Sequence, residues 1–70
     1  MKTLTIKKII DSCIISCTVY DEVIEMEKEL TEFLSINNSS DSLFKYLYNV
    51  VSFRLSELVD INRNIHKDNI

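Results

Sequence analysis

The sequence contains no glycine and no proline, and scanning it shows no alanine, glutamine or tryptophan either. Missing Gly and Pro removes the strongest turn formers and strand punctuators, which argues against many short strands and for a few helices. Codon composition halves the weight of that argument. Ala, Gly and Pro use GC-rich codons, while Ile, Asn, Lys and Ser are abundant here, so an AT-rich genome alone would produce much the same bias. The same bias points to a low-GC bacterium, its phage or an AT-rich virus as the source. No apolar run approaches the ~18 residues of a membrane span. The apolar stretch that follows Lys2, Lys7 and Lys8 is short and interrupted by Asp11, unlike the ~7–15-residue core of a signal peptide. A cytoplasmic location is therefore expected.

Basic charge is also scarce. Eight Lys and Arg stand against eleven Asp and Glu, giving a net charge of −3 and a pI near 4.9. Reading DNA through its phosphates needs clustered cations, so nucleic acid is a poor first partner and a protein with a basic surface is a better one. Seventy residues make a single domain, 1–70. A chain of this size buries a small share of its surface and needs very good packing, a metal, disulfides or a second copy. Its 46% hydrophobic content is too high for a disordered chain.

One stretch reads as a connection: SINNSSDS, residues 35–42. Asn37 and Asn38 suit the left-handed conformation that ends a helix, and Ser39, Ser40 or Asp41 can cap the next one. Before it, Ile6, Ile10, Cys13, Cys17, Tyr20 and Ile24 recur at helical spacing. A second row of Val19, Val23, Met26, Leu30 and Phe33 then takes over, as on one face drifting slowly around an axis. After it, Leu47, Val51, Leu55, Leu58 and Ile65 form a stripe, widened by Leu43, Phe44, Val50, Phe53, Val59 and Ile61.

The expected architecture is all-α. Its preferred form is a hairpin of one long helix, about 4–35, and a second, about 41–65, dimerising into a four-helix bundle because two helices cannot cover each other's apolar faces. The alternative is a three-helix bundle of 4–16, 18–35 and 41–65. Its break would fall in the β-branched cluster from Ile14 to Val19, weak helix material that also suits a strand. Thr18-Val-Tyr-Asp21 has capping-box spacing there, with Asp in place of Glu.

Candidate sites follow from residue type and spacing. Glu22, Glu25, Glu29 and Glu32 lie at i, i+3, i+7 and i+10, one helix face. This is either a solvated surface, the commoner meaning of a charge run, or a docking face for a basic partner. Cys13 and Cys17, four apart, cannot form a relaxed disulfide within a regular helix. They read as small apolar groups of the core or of a dimer seam, together with Ile10, Tyr20, Leu47, Val51, Leu55 and Leu58. C-x3-C is weaker than the usual zinc spacing, and carboxylate-rich helical metal sites want Glu-x-x-His pairs. No metal and no cofactor are expected. His66, with Arg63 and Lys67, makes a basic helix end that complements the dipole. Arg54 lies close to the apolar stripe and is expected to pair with a carboxylate of the first helix. No nucleophile with a base in reach is nominated.

The functional expectation is a non-enzymatic, dimeric, acidic helical protein that binds and regulates a larger protein. Size, charge and coding bias suit a phage-type, anti-CRISPR-like inhibitor of a host nuclease or defence complex. The alternative is a small DNA-binding regulator using Lys2, Lys7 and Lys8 or Arg54, Arg63 and Lys67.

Overall fold

In the computed structural model, which describes residues 2–68 and side chains through residue 61, three helices pack around one core. These are α1 (Thr3–Ile15), α2 (Tyr20–Ile36) and α3 (Asp41–Asp68). There is no strand among the described residues. No helix is long and apolar enough to cross a membrane. Ile65 of the expected stripe, and the basic group Arg63, His66 and Lys67, have side chains outside the described residues.

The chain runs up, down and up, so α1 and α3 point the same way with α2 antiparallel to both. Each helix contributes one stripe. Ile6, Ile10 and Ile14 come from α1, Val23, Leu30 and Leu34 from α2, and Leu43, Leu47, Val51 and Leu58 from α3, with Cys17 closing the core at the first turn. Burying each such aliphatic side chain contributes ~1.5–3 kcal/mol, and this is the main support for α1. That helix starts at Lys2 with no side-chain cap and no acidic residue in its first turn, where the helix dipole would favour a negative charge.

The long helix 4–35 is not what forms. The chain leaves α1 after Ile15 and re-enters helix at Tyr20, so the three-helix alternative holds, with α2 shifted to Tyr20–Ile36 and α3 extended to Asp68. The reason is visible in the buried stripes. At 100° per residue, an unbroken helix would set the stripe of α2 about 140° away from that of α1. The apparent slow drift of the apolar face is a change of phase across a break. Local chemistry marks the same place. Glu22 accepts hydrogen bonds from the Thr18 backbone N–H at 3.4 Å and the Thr18 hydroxyl at 3.3 Å. The expected Thr18–Asp21 box does not form: Val19 is the N-cap and has no side-chain cap, and Glu22 reaches back to Thr18, the residue before it.

The second turn is tighter than 35–42; only residues 37–40 lie outside helix. Asn38 takes φ 53°. The Ser39 N–H donates to Leu34 O at 3.0 Å and the Asn38 N–H to Ser35 O at 3.1 Å. These two bonds make a Schellman motif with Asn in the glycine position.

The paired hairpin needed a second copy to cover its apolar faces. Here Ile10, Cys17, Leu47, Val51 and Leu58 are all covered within one chain, so core formation does not require a dimer.

Candidate docking surface

The α1–α2 corner is held from outside. Residues 16–19 end one helix and begin another, leaving carbonyls that their own segment does not satisfy. Arg54 of α3 supplies the missing donors. Its Nε and Nη2 donate to the Cys17 carbonyl at 3.3 and 2.9 Å. The expected pairing of Arg54 with a carboxylate of the first helix is not found. Its carboxylate partner is Glu57 on its own helix, one turn on, at 3.7 Å. A guanidinium fork suits this task because it keeps its charge and presents fixed donors.

Cys17 itself is buried and Cys13 half-buried, both as free thiols. The Cys17 thiol donates weakly to Cys13 O at 3.3 Å and lies 3.7 Å from Glu22 O. Burial pushes its pKa up, the Glu22 carboxylate and Cys13 add to this, and Arg54 opposes it. The corner thiol is therefore held in its protonated, poorly nucleophilic form.

A second link ties α1 to α3. The Tyr46 hydroxyl donates to both carboxylate oxygens of Asp11 at 2.8 Å. The Lys7 ammonium stands 5.1 Å from the centre of the Tyr46 ring, within cation–π range. The hydrogen bond to Asp11 raises the Tyr46 pKa, with smaller contributions from burial and the Asp11 charge.

Beyond Asp11 the seam between α1 and α3 opens into a groove of ≈ 420 Å³. Ile14 and Ile15 form one wall, Val50 and Phe53 the other, and the carboxylates of Asp11 and Glu57 stand at its edge. Arg54 separates it from a second depression of ≈ 270 Å³, walled by Val19 and Tyr20 on one side and Leu58 and Ile61 on the other. Five large apolar side chains around these hollows remain open to solvent: Ile15 and Phe53 at 70%, Val19 at 53%, Ile61 at 49% and Tyr20 at 46%. Together they expose apolar area on the order of 500 Å², at the upper end of what a monomer normally leaves uncovered.

The acidic row lies elsewhere. Glu22, Glu25, Glu29 and Glu32 are all exposed on α2. The first three border a shallow depression over Cys17 and Met26 on the α1–α2 side. Glu22 is partly committed to Thr18, leaving the other three as a solvent-facing row. Of the residues expected in a core or seam, Cys13 and Leu55 are half-buried and Tyr20 is exposed; Tyr20 belongs to the corner surface. Among the described residues no three His, Cys, Asp or Glu side chains gather as a metal site would need.

Sequence reasoning did not single out Ile15 and Phe53 as surface groups: it placed Phe53 in the widened stripe of α3, and Ile15 only in the β-branched cluster from Ile14 to Val19. An angular signal was present: Phe53 sits about 120° around α3 from Leu47, and Ile15 about 140° around α1 from Ile10. Set against protein-family models, curated proteins and solved structures, the chain matches none, so its function has to be argued from these residues alone.

Proposed function

We propose that this protein is a non-catalytic binding module that regulates a larger protein by docking on it through the α1–α2 corner and the adjoining face of α3. The observation that carries this reading is the set of exposed apolar side chains around two neighbouring hollows, Ile15 and Phe53 at one and Val19, Tyr20 and Ile61 at the other. A small bundle that has already filled its core gains nothing in solution from exposing these groups. Apolar patches of this extent, rimmed by polar residues, typically mark interaction sites, and aromatic residues at their centre supply much of the binding energy.

A phage-type inhibitor of a host nuclease or defence complex is the narrower form of the proposal. The acidic row of α2 supports it as a second surface suited to basic, nucleic-acid-handling proteins. A homodimer is the other occupant to consider for the corner surface. The DNA-binding alternative is less well supported: Lys7 is engaged by Tyr46 and Arg54 by Cys17 and Glu57.

The test is paired binding measurement. Tagged wild type and an Ile15→Ser/Phe53→Ser variant would be presented to purified host nucleases and defence complexes. A partner bound with Kd below about 1 μM by wild type and at least tenfold more weakly by the variant supports the reading. Equal binding by both moves the site away from the corner. No binding to any of them removes the inhibitor form.

A further inference from the structure

We infer that the corner surface accepts one amphipathic helix of a partner protein, apolar along one stripe and basic along its flanks. The inference rests on the docking reading above and adds the shape and charge of what docks. Three observations carry it.

The first is shape. The two hollows follow one another along α3 and share Arg54, from Asn49 at one end to Ile61 at the other, a span of about 18 Å. That is about three turns of helix, enough for a set of anchors at i, i+3/i+4, i+7 and i+11. The larger hollow, ≈ 420 Å³, has room for two large side chains, and the smaller one, ≈ 270 Å³, for one.

The second is charge. Asp11 and Glu57 stand at the rim of the larger hollow. Among the described residues the one cation lining either hollow is Arg54, bound to the Cys17 carbonyl and paired with Glu57, while Asp11 accepts the Tyr46 hydroxyl. The described lining therefore carries two carboxylates against one guanidinium, an excess of one negative charge. Lys or Arg flanking the apolar stripe of the guest complements this rim, and Glu or Asp does not.

The third is comparison with a second copy as occupant. A two-fold contact through this surface would bring each Asp11 and Glu57 against a surface carrying the same carboxylates. The net charge of −3 adds a long-range repulsion between copies. Charge thus favours a basic guest over self-association.

The experiment uses the full chain and two synthetic 16-residue helical peptides, titrated by fluorescence anisotropy at low salt. Both carry Leu and Phe at i, i+3, i+7 and i+11; one has Lys and Arg at the flanking positions, the other Glu. The expected result is saturable binding of the basic peptide, at least tenfold tighter than of the acidic one. Phe53→Ser should weaken it at least tenfold, while a Glu25/Glu29/Glu32→Gln variant should change it less than threefold. Circular dichroism of each variant shows that it is folded. Three results overturn the inference: equal binding of the two peptides, a Phe53→Ser variant that binds as wild type, or a loss confined to the α2 variant. Light scattering that finds a dimer dissociated by Phe53→Ser also overturns it, by giving the surface to a second copy. If neither peptide binds and yet the Ile15→Ser/Phe53→Ser variant loses a protein partner, this inference fails while the docking reading stands.

Discussion

The turn between α2 and α3 is closed by its own residues, whereas the turn between α1 and α2 is closed by a residue from the far side of the chain. In the first, Asn38 at φ 53° returns the Asn38 and Ser39 amides to the last carbonyls of α2, all within six residues. In the second, Arg54 reaches across 37 positions to the Cys17 carbonyl. At the end of the closed turn the large exposed apolar groups among the described residues are Ile36 and Leu4, whereas the corner leaves Ile15, Val19, Tyr20, Phe53 and Ile61 uncovered. A turn that satisfies itself can form early and needs little from the rest of the fold. A turn that borrows its donor is only as stable as the packing that brings the donor, and such segments open at lower free energy. The end of the molecule best supplied with binding surface is thus the end whose turn adds a long-range hydrogen bond to its local ones, from Cys17 N–H to Ile14 O and from Thr18 to Glu22.

The largest expected effect comes from removing the borrowed donor. Arg54→Met should lower stability by about 2 kcal/mol, because a partly buried carbonyl loses both its hydrogen bonds. Urea unfolding followed by circular dichroism measures this. Arg54→Lys should recover only part of it, since a single ammonium lacks the fork. Equal stability of Arg54→Met and wild type would mean that the corner closes on its own, and the contrast between the turns would vanish.

Next is the self-contained turn. Asn38→Val should cost about 1–2 kcal/mol, the penalty of a left-handed residue with a crowded Cβ. Asn38→Gly should be neutral or stabilising by up to about 1 kcal/mol. Native-state hydrogen exchange separates the two turns. Asn38→Val should raise exchange near residues 34–44, and Arg54→Met near residues 14–23.

Alkali should act through Cys17 in the α1–α2 corner and through Tyr46 of α3, which holds Asp11 of α1. Cys17 and Tyr46 both have pKa values raised in the folded protein. From about pH 9 upward, until the raised pKa values are reached, the native state therefore keeps protons that the unfolded chain releases. The stability that depends on them is fully present below pH 9 and is lost as pH rises through the folded pKa values. Thermal midpoints at pH 7 and pH 10.5 should show a drop in wild type that Tyr46→Phe reduces, since Phe has no proton to lose. An unchanged drop would remove the Tyr46–Asp11 link from the account. The smallest expected effect on stability is at the surface itself: Phe53→Ser, at an exposed position, should unfold within about 0.5 kcal/mol of wild type. A large loss there would make Phe53 part of the fold.

The helical class, the start of α3 after the SINNSSDS segment and most of the core were legible in the amino-acid pattern. Spacing of Ile6 and Ile10, or of Leu43, Leu47 and Val51, depends only on helix geometry and burial; Ile14 and Leu34, both fully buried, fall in neither expected row because those rows follow one unbroken helix. Asn38 was legible as a helix end for the same reason: a single residue type that tolerates positive φ settles it locally. The break at 16–19 was harder. Thr18 and Glu22 signal it weakly, and the phase change of the apolar stripe reads equally as slow drift until the stripes are assigned to separate neighbours.

By itself, then, the sequence determined that the chain is helical with a connection near 35–42, which residues are apolar enough to be drawn inside, and that α2 carries its carboxylates on one side. These are properties of neighbouring residues and of a fixed 3.6-residue period. Tertiary structure alone decided which of several apolar residues on a helix the core would take and which it would leave out, as it did with Ile15 and Phe53. It also decided that Arg54 would serve the Cys17 carbonyl in place of a carboxylate. Both outcomes depend on where a third helix lies, and distance between segments far apart in the chain is set by the packing of all three at once.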